Sequence, residues 1–226
     1  MTAAFITAGC TKTDDPDNNG GGHYEGNYEY VDLGLPSGTL WATFNVGANS
    51  PEGYGDYFAW GETRPKTTYD WSTYKYCKGG ENQLTKYCNN PSYGYNSFTD
   101  NLTTLQPNDD AATVKWGRGW RMPTQEEWQE LLANTTGTLI HQDDRVGALF
   151  TAANGNTLYQ PAAGCRNGSS LNCAGTHGYY WLSSLYTDSC YPNGACGGLF
   201  GKFAHDYFDN RSYGYSVRAV RSSPQN

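Results

Sequence analysis

Glycine and tyrosine recur along the whole of this chain, with 28 glycines and 19 tyrosines among 226 residues. This composition is typical of a β-rich, loop-rich recognition protein and not of a helical one. Tyrosine gives broad amphipathic contact area at low entropic cost, as it does in antibody loops. The chain is long enough for one well-buried domain with a tail and too short for two ordinary domains, so we expect a single core.

The charge balance of the chain limits its partners. The formal net charge is -7 and the sequence pI is about 5.0. A chain with this balance has no sustained Lys/Arg surface that could neutralise phosphates or attach to an anionic leaflet. We therefore expect no nucleic-acid partner.

The N-terminal segment carries a targeting pattern. Small and apolar residues at positions 3–9 immediately precede Cys10, and the chain turns polar at Thr11. The pattern resembles the end of a bacterial lipoprotein signal, which implies cleavage before Cys10 and its acylation. Residues 11–22 are charged, rich in glycine and free of apolar side chains, which is typical of a flexible tether. We therefore assign residues 1–28 to a signal remnant and tether, and residues 223–226 to a tail.

The tether also bears on localisation. An acidic stretch directly after a lipidated cysteine resembles the signal that sends lipoproteins of some gut anaerobes to the outer face of the outer membrane. No other apolar stretch approaches the roughly 20 residues that a membrane span requires. We therefore expect an exported outer-membrane lipoprotein that faces outward and meets the membrane only through its lipid anchor.

Six cysteines remain if Cys10 carries lipid, and an even number in an exported chain is typical of disulfides. Six cysteines allow fifteen pairings, and the sequence does not choose among them. No CxxC motif occurs, and the four histidines lack metal-ligand spacing, so we expect no metal or cofactor. The cysteines are Cys77, Cys88, Cys165, Cys173, Cys190 and Cys196, and the histidines are His23, His141, His177 and His205.

Local signals predict few helices and many strands. Thr124 and Glu127 have the spacing of a helix capping box, and Trp128 with Leu131 and Leu132 would form one apolar face. Residues 109–112 would open a second, short helix, and residues 62–109 lack periodicity and predict long loops. The predicted class is α+β, loop-rich, with few short helices and many short antiparallel strands. Predicted strands lie at residues 30–33, 39–46, 157–160, 178–183, 199–203 and 216–221, with a strand or tight loop at residues 54–60.

Six sequence blocks carry a family resemblance. They are YVDLGLPSGTLWA at 30–42, YGDYFAWGET at 54–63, WRMPT at 120–124, PAAG at 161–164, YWLSS at 180–184 and GYSVRAVR at 214–221. In this order they resemble the Fibrobacter-type major paralogous domain of bacterial surface lipoproteins, a formylglycine-generating-enzyme-like branch of the C-type-lectin fold. The resemblance covers residues 29–222. It implies one C-type-lectin-like domain with paired N- and C-terminal strands and a loop-rich half that presents the binding face.

Residue usage changes in the C-terminal quarter. The 51 residues from Cys165 to Tyr215 include two drawn from Lys, Glu, Gln, Met and Trp, whereas the 136 residues from Glu29 to Gly164 include 25. None of these five residue types has a codon that ends in a pyrimidine. The usage resembles the variable region of a diversity-generating retroelement target protein, whose C-type-lectin fold holds changing side chains on a fixed backbone. The alternative is that a glycine-rich segment of strands and loops is poor in Lys and Glu in any case.

The resemblance implies a ligand-binding protein without catalytic activity, adhesin-like or receptor-like, displayed on the cell surface. Its ligand would be a protein or a glycan on another cell, a phage or a host surface. Buried scaffold residues would be Trp181, Ala195, Phe200 and Val217, which would leave the loop residues free to vary. The predicted ligand-binding residues are Tyr179, Leu185, Tyr186, Asp188, Tyr191, Asn193, Leu199, His205, Asp206, Tyr207, Asp209 and Tyr213.

Three other functions stay open. Cys190 and Cys196 are placed loosely like the copper-binding thiolate pair of formylglycine-generating enzymes, although one residue further apart. Gln106-Pro107-Asn108 resembles the calcium-ligand tripeptide of carbohydrate-binding lectins, but it precedes the capped helix and favours a turn. The domain could also be the tip subunit of a surface filament.

Overall fold

The computed structural model describes residues 22–25, 28–117, 119–142, 145–188, 191, 194–201 and 204–223. Short antiparallel strands and two helices, α1 and α2, make up its regular structure, which confirms the α+β, loop-rich class. The helices are α1 at Ala111–Trp116 and α2 at Gln125–Asn134. The strands are β1 Gly22–Glu25, β2 Tyr28–Asp32, β3 Thr39–Ala42, β4 Thr135–Gln142, β5 Arg145–Ala152, β6 Thr157–Pro161, β7 Cys165–Asn167, β8 Ser170–Asn172, β9 Gly178–Leu185, β10 Gly194–Phe200, β11 Ala204–Asn210 and β12 Val220–Ser222.

One antiparallel sheet joins the two ends of the domain in the order β1-β2-β3-β12. Val220 of β12 pairs with Trp41 of β3, which confirms the expected pairing of N- and C-terminal strands. Strand β1 lies inside the segment predicted as tether, and this part of the prediction was wrong. Backbone pairing with β2 orders those residues, and polar composition gives no signal of such pairing.

Two of the predicted strands in this sheet are shorter than expected. Strand β3 ends at Ala42 and not at Val46, because the chain turns at Asn45, whose carbonyl accepts from the Ala48 N–H at 2.9 Å. Strand β12 begins at Val220, whereas the sequence predicted a strand from Ser216. Residues 216–219 are buried but make isolated backbone contacts instead of a continuous ladder.

Both predicted helices are confirmed, and so is the predicted capping box of α2. Asp110 caps α1, since its Oδ1 accepts from the Thr113 N–H at 2.9 Å. At α2 the Thr124 side chain accepts from the Glu127 N–H while the Glu127 carboxylate accepts from the Thr124 N–H, so the capping box is complete. Glu127 also accepts two hydrogen bonds from the Arg121 guanidinium, at 2.6 and 2.5 Å, which fixes the chain that enters the helix.

Residues 62–109 form the predicted long loops, which buried polar contacts hold in place. Asp109 is 4% exposed and accepts hydrogen bonds from Lys86 Nζ at 2.6 Å, from Tyr87 Oη at 2.7 Å and from Tyr76 Oη. These bonds join distant loop segments to the residue that precedes the N-cap of helix α1. Residues 54–60 form a tight loop, with a single bridge between Phe58 and Tyr215.

Two three-stranded sheets occupy the C-terminal half, in the orders β4-β5-β6 and β11-β10-β9, together with the hairpin β7-β8. The predicted strands at 157–160 and 178–183 are confirmed as β6 and β9. The strand predicted at 199–203 coincides with β10 at residues 199 and 200, where β10 ends, and residues 202 and 203 lie outside the described residues. Strands β4, β5, β7, β8 and β11 were not predicted, nor were residues 194–198 of β10.

The expected single core is divided into two hydrophobic clusters. Trp181 belongs to the first, where its ring stacks on Tyr215 with centroids 4.1 Å apart. Trp128 of α2 belongs to the second, beside Trp41 and Phe150. Because β9 contributes buried side chains to both clusters, the C-terminal strands are part of the core. The predicted scaffold residues are confirmed as buried, namely Trp181, Ala195, Phe200 and Val217.

Candidate ligand-binding surface

Strands β9, β10 and β11 carry an aromatic group on the sheet face opposite helix α2. Tyr179 of β9 and Tyr207 of β11 meet edge to face, with ring centroids 6.0 Å apart. On the intervening strand β10, the residue paired with Tyr207 is Gly197, which has no side chain. Tyr179 also contacts the buried ring of Tyr215 at a centroid distance of 5.1 Å. The rings of Tyr179 and Tyr207 are partly exposed and pack against the first core cluster. We call the buried rings of Trp181 and Tyr215 in that cluster the floor of the surface.

Phe208 joins this group from the other face of strand β11, the face that also carries Asp206. Its ring is 41% exposed, stacks on Tyr186 at 4.1 Å and lies 5.5 Å from Tyr191. The Phe208 ring also lies 6.3 Å from that of Tyr207. The sequence prediction missed Phe208, although it lies in the segment of altered residue usage and between two predicted contact residues. We call the group of Tyr179, Tyr186, Tyr191, Tyr207, Phe208 and Tyr213 the aromatic surface.

Asp209 supplies the charge beneath the aromatic surface. Its carboxylate accepts a hydrogen bond from the Tyr215 hydroxyl, and burial raises the pKa of Asp209 above its ordinary value. Burial, followed by the nearby Asp209 carboxylate, also raises the pKa of Tyr207 and brings that of Tyr191 to about 12. Both phenols therefore keep their protons at neutral pH. Each can donate a hydrogen bond to a ligand and accept one from it.

The structure brings together only part of the predicted contact set. Tyr179, Tyr191, Tyr207 and Asp209 lie on one side, and Tyr186 joins them through Phe208. Tyr213 is partly buried and close enough to influence the pKa of Tyr191 and Tyr207. His205 and Asp188 are exposed. The residues of this part of the predicted set are therefore exposed or partly exposed, and a ligand can reach them.

Two members of the predicted set lie elsewhere. Leu185 is 4% exposed and belongs to the first core cluster, which corrects its assignment as a contact residue. Asp206 faces helix α2, where its Oδ2 accepts from Gln125 Nε2 at 3.2 Å and from Gln129 Nε2 at 2.5 Å. Strand alternation separates Asp206 from Tyr207, so it anchors the sheet to the helix instead of joining the aromatic surface.

Two further members of the predicted contact set lie partly or wholly outside the described residues. Leu199 pairs through its backbone with His205 and Tyr179, but its side chain is outside the described residues, as is the whole of Asn193.

The sequence analysis also raised a copper-binding cysteine pair and a calcium-ligand tripeptide. Cys196 is buried and its thiol donates to Gln125 Oε1 at 3.4 Å, while Cys190 and the predicted lipidation residue Cys10 lie outside the described part of the chain. The predicted turn at Gln106 is confirmed, since Pro107–Asp109 is a 3₁₀ turn and Gln106 Oε1 accepts from Lys86 Nζ at 2.6 Å. Among the described residues, no group of three or more His, Cys, Asp or Glu could hold a metal ion.

A separate cleft lies on the α1 side of the molecule, away from strands β10 and β11. Its volume is about 730 Å³, and both helix entries contribute to its wall. Arg121, one of its charged side chains, is already paired with Glu127. The lining includes Leu105, Asp110, Trp120, Arg121, Met122 and Arg221.

No helix within the described ranges is long and apolar enough to cross a membrane. No family model, curated protein or solved structure matches the chain.

Proposed function

We propose that this protein is an exported surface lipoprotein that binds a protein or glycan ligand through the aromatic surface. Residues 29–222 would form a C-type-lectin-like domain, and residues 165–215 its diversified region. The single observation that carries the proposal is the group of half-exposed aromatic rings above a buried floor. Such rings provide large, rigid contact area with hydroxyl groups for hydrogen bonding.

The separation of buried core rings from accessible rings supports the proposal that residues 165–215 are diversified. Trp181 and Tyr215 are fully buried beneath the sheet, whereas Tyr207 and Phe208 remain accessible. A change at an accessible ring removes few core contacts, so the stability of the domain does not depend on it. All six residues of the aromatic surface fall between positions 165 and 215, and all have codons that end in a pyrimidine.

A binding experiment tests the proposed surface directly. Fluorescent protein is applied to an array of purified glycans and to intact bacterial and epithelial cells, in the wild-type form and as Tyr207→Ser and Phe208→Ser. We expect the wild type to bind at least one probe, and each variant to lose about tenfold or more of the affinity, as is typical of a central aromatic contact. Val114→Ser is the control, because Val114 is an exposed apolar residue on helix α1, outside this sheet.

Two outcomes would overturn the binding proposal. One is a folded wild-type protein that binds no probe, and the other is binding that Tyr207→Ser and Phe208→Ser leave unchanged. Thermal melting of each variant distinguishes a lost contact from a lost fold. An equal loss of affinity in Val114→Ser would also contradict the proposed surface, because the loss would then not be specific to the aromatic residues.

The diversified region has its own test at the nucleotide level. Sequencing the locus downstream of the coding region is expected to reveal a near-copy of the codons for residues 165–215, differing at adenines, beside a reverse transcriptase gene. Across isolates, substitutions should concentrate at Tyr179, Tyr207 and Phe208 and spare Trp181 and Tyr215. A locus without the near-copy, or substitutions spread evenly over surface and core, would refute diversification and leave the binding test standing.

The lipid anchor at Cys10 is tested by metabolic labelling with an alkyne fatty acid in a bacterial host. We expect the label on the wild-type protein and none on Cys10→Ala. Label retained on Cys10→Ala would contradict the anchor, and protease accessibility of intact cells would test outward display.

A further inference from the structure

Two cysteines meet at the open end of the small hairpin β7-β8. Cys165 is the first residue of β7, and its Cα partner across the hairpin is Asn172, the last residue of β8. Cys173 follows directly. A strand spacing of about 5 Å combined with a rise of about 3.4 Å per residue puts the Cα atoms of Cys165 and Cys173 about 6 Å apart. Disulfides span Cα distances of about 4.4–6.8 Å, with most near 6 Å.

The backbone at Cys173 departs from the strand conformation, so its side chain does not follow the alternation of β8. In a continued strand, Cys173 would project to the face opposite Cys165. Its φ is instead +57°, in the left-handed region that residues other than glycine seldom adopt. The carbonyl of Cys173 accepts from the N–H groups of Thr176 and His177, at 3.1 and 3.0 Å, so the turn that imposes this conformation is fixed.

Close backbone contact keeps the two sides of the hairpin end together. A Cβ atom on Gly164 would lie 2.2 Å from the Asn172 carbonyl oxygen and 2.5 Å from the Ala174 nitrogen. Gly164 N–H also donates to the His177 carbonyl at 2.8 Å. The residues that precede Cys165 are thus packed directly against those that flank Cys173.

Cys173 contributes to the pKa of the Cys165 thiol, and the two cysteines share a neighbour. Burial raises the pKa of Cys165 to about 11, and the next contribution comes from Cys173. Tyr179 lies beside both thiols, since Cys173 and then Cys165 add to the effect of burial in raising its pKa. The thiols of Cys88 and Cys196 point elsewhere, toward Asn90 and Gln125 respectively.

We propose that Cys165 and Cys173 are a disulfide-forming pair that closes the open end of the β7-β8 hairpin, beside Tyr179 of the aromatic surface, when the protein is exported. Both are free thiols in the structure. The proposal does not depend on ligand binding. It selects one pairing for two of the six cysteines that the sequence leaves open.

The oxidation proceeds by thiol–disulfide exchange with a small-molecule or protein disulfide. Exposed Cys173 attacks as the thiolate, the S–S bond of the oxidant breaks, and one half leaves as a thiol. Cys165, after loss of its proton, then attacks Cys173 Sγ and displaces the second half. The two cysteines lose two protons and two electrons, and the oxidant disulfide becomes two thiols.

Peptide mapping of the full chain tests the pair. The reduced protein is incubated with glutathione disulfide, free thiols are blocked under denaturing conditions, and the protein is digested with trypsin and then chymotrypsin. Trypsin cuts after Arg166, between the two cysteines, and chymotrypsin cuts at Tyr179 to Trp181 and so separates Cys173 from Cys190. We expect two peptides joined through Cys165 and Cys173, lighter by two hydrogens than their sum and separated by reductant.

Two variants serve as controls. Cys173→Ser should abolish the linked peptides and leave Cys165 alkylated, whereas Cys77→Ser, at another partly buried cysteine, should retain the link. The melting temperature should fall on reduction in the wild type and in Cys77→Ser, and be insensitive to reductant in Cys173→Ser. Full alkylation of Cys165 and Cys173 after oxidation of folded protein, or a link from Cys165 to any other cysteine, would overturn the proposal.

Discussion

Substitution of Gly198 by alanine tests how tightly the sheet β9-β10-β11 is seated on helix α2. A Cβ atom on Gly198 would lie 2.5 Å from Trp128 Cε2 and 2.6 Å from Cζ2. The Trp128 ring is fully buried, packs against Trp41 and Phe150, and donates from Nε1 to the His205 carbonyl at 3.3 Å. The ring therefore has no open space into which it can move.

Two opposing effects set the magnitude. Overpacking of a filled core costs about 1–3 kcal/mol, and here the collision is with a rigid, buried ring, so we take the upper part of that range. Replacing a strand glycine by alanine returns about 0.5–1 kcal/mol. We expect Gly198→Ala to lower the free energy of unfolding by about 2 kcal/mol, which for a chain of this size is about 4–8 °C in melting temperature.

Gly197→Ala is the matched control in the same strand. Its Cβ atom would meet the Tyr180 carbonyl oxygen at 3.3 Å and Tyr215 Cε2 at 3.6 Å, so a small adjustment accommodates it. We expect its melting temperature, measured by circular dichroism, to lie within about 2 °C of the wild type. Equal melting temperatures for the two variants, or a greater loss for Gly197→Ala, would refute the reasoning.

Three further predictions concern caps and buried carboxylates. Thr124→Ala should cost about 1 kcal/mol in urea denaturation, because the Glu127 N–H loses its acceptor, and an unchanged midpoint would contradict the capping role. Burial raises the pKa of Asp209, so its favourable contribution is present below the unfolded value of about 3.9 and is lost as the pH rises through the folded pKa. Asp209→Asn should therefore gain melting temperature relative to the wild type between pH 4 and 7, and a constant difference would exclude this linkage. For Asp109, burial raises the pKa, but hydrogen bonds from Lys86, Tyr76 and Tyr87 outweigh burial and lower it, so its stabilisation is present above about 3.9 and is lost as the pH falls through the folded pKa. Asp109→Asn should cost about 2–3 kcal/mol at pH 7 and much less in acid, whereas a cost independent of pH would assign the effect to packing.

Local sequence signals predicted the helices well. The capping box at Thr124 and the Asp110 cap depend on residues three positions apart, so the sequence contains both partners. The long loops between residues 62 and 109 were also predicted, because the absence of periodicity is itself a local property. The sequence did not predict that Asp109 accepts hydrogen bonds from Tyr76, Lys86 and Tyr87. These donors are distant from Asp109 along the chain, and the contacts form only on folding.

Strand pairing explains most of the errors. Strand β10 has the sequence GACGGLF, whose glycines are poor strand formers, and it becomes a strand because β9 and β11 pair with it on both sides. Leu185 was predicted as a contact residue, but it lies on β9 in the core cluster that contains Trp181. This burial comes from side chains distant in sequence, so the local pattern around Leu185 did not indicate it.

The period of two along strand β11 has a consequence for engineering this protein. Positions 205, 207 and 209 project away from helix α2, whereas Asp206 is bound to two glutamines of that helix. A combinatorial library built on this chain should therefore randomise these odd positions and the exposed Phe208, and keep the aspartate. Clones that retain Asp206 would be recovered in soluble form, and those altered at 206 would be depleted before any selection for a target.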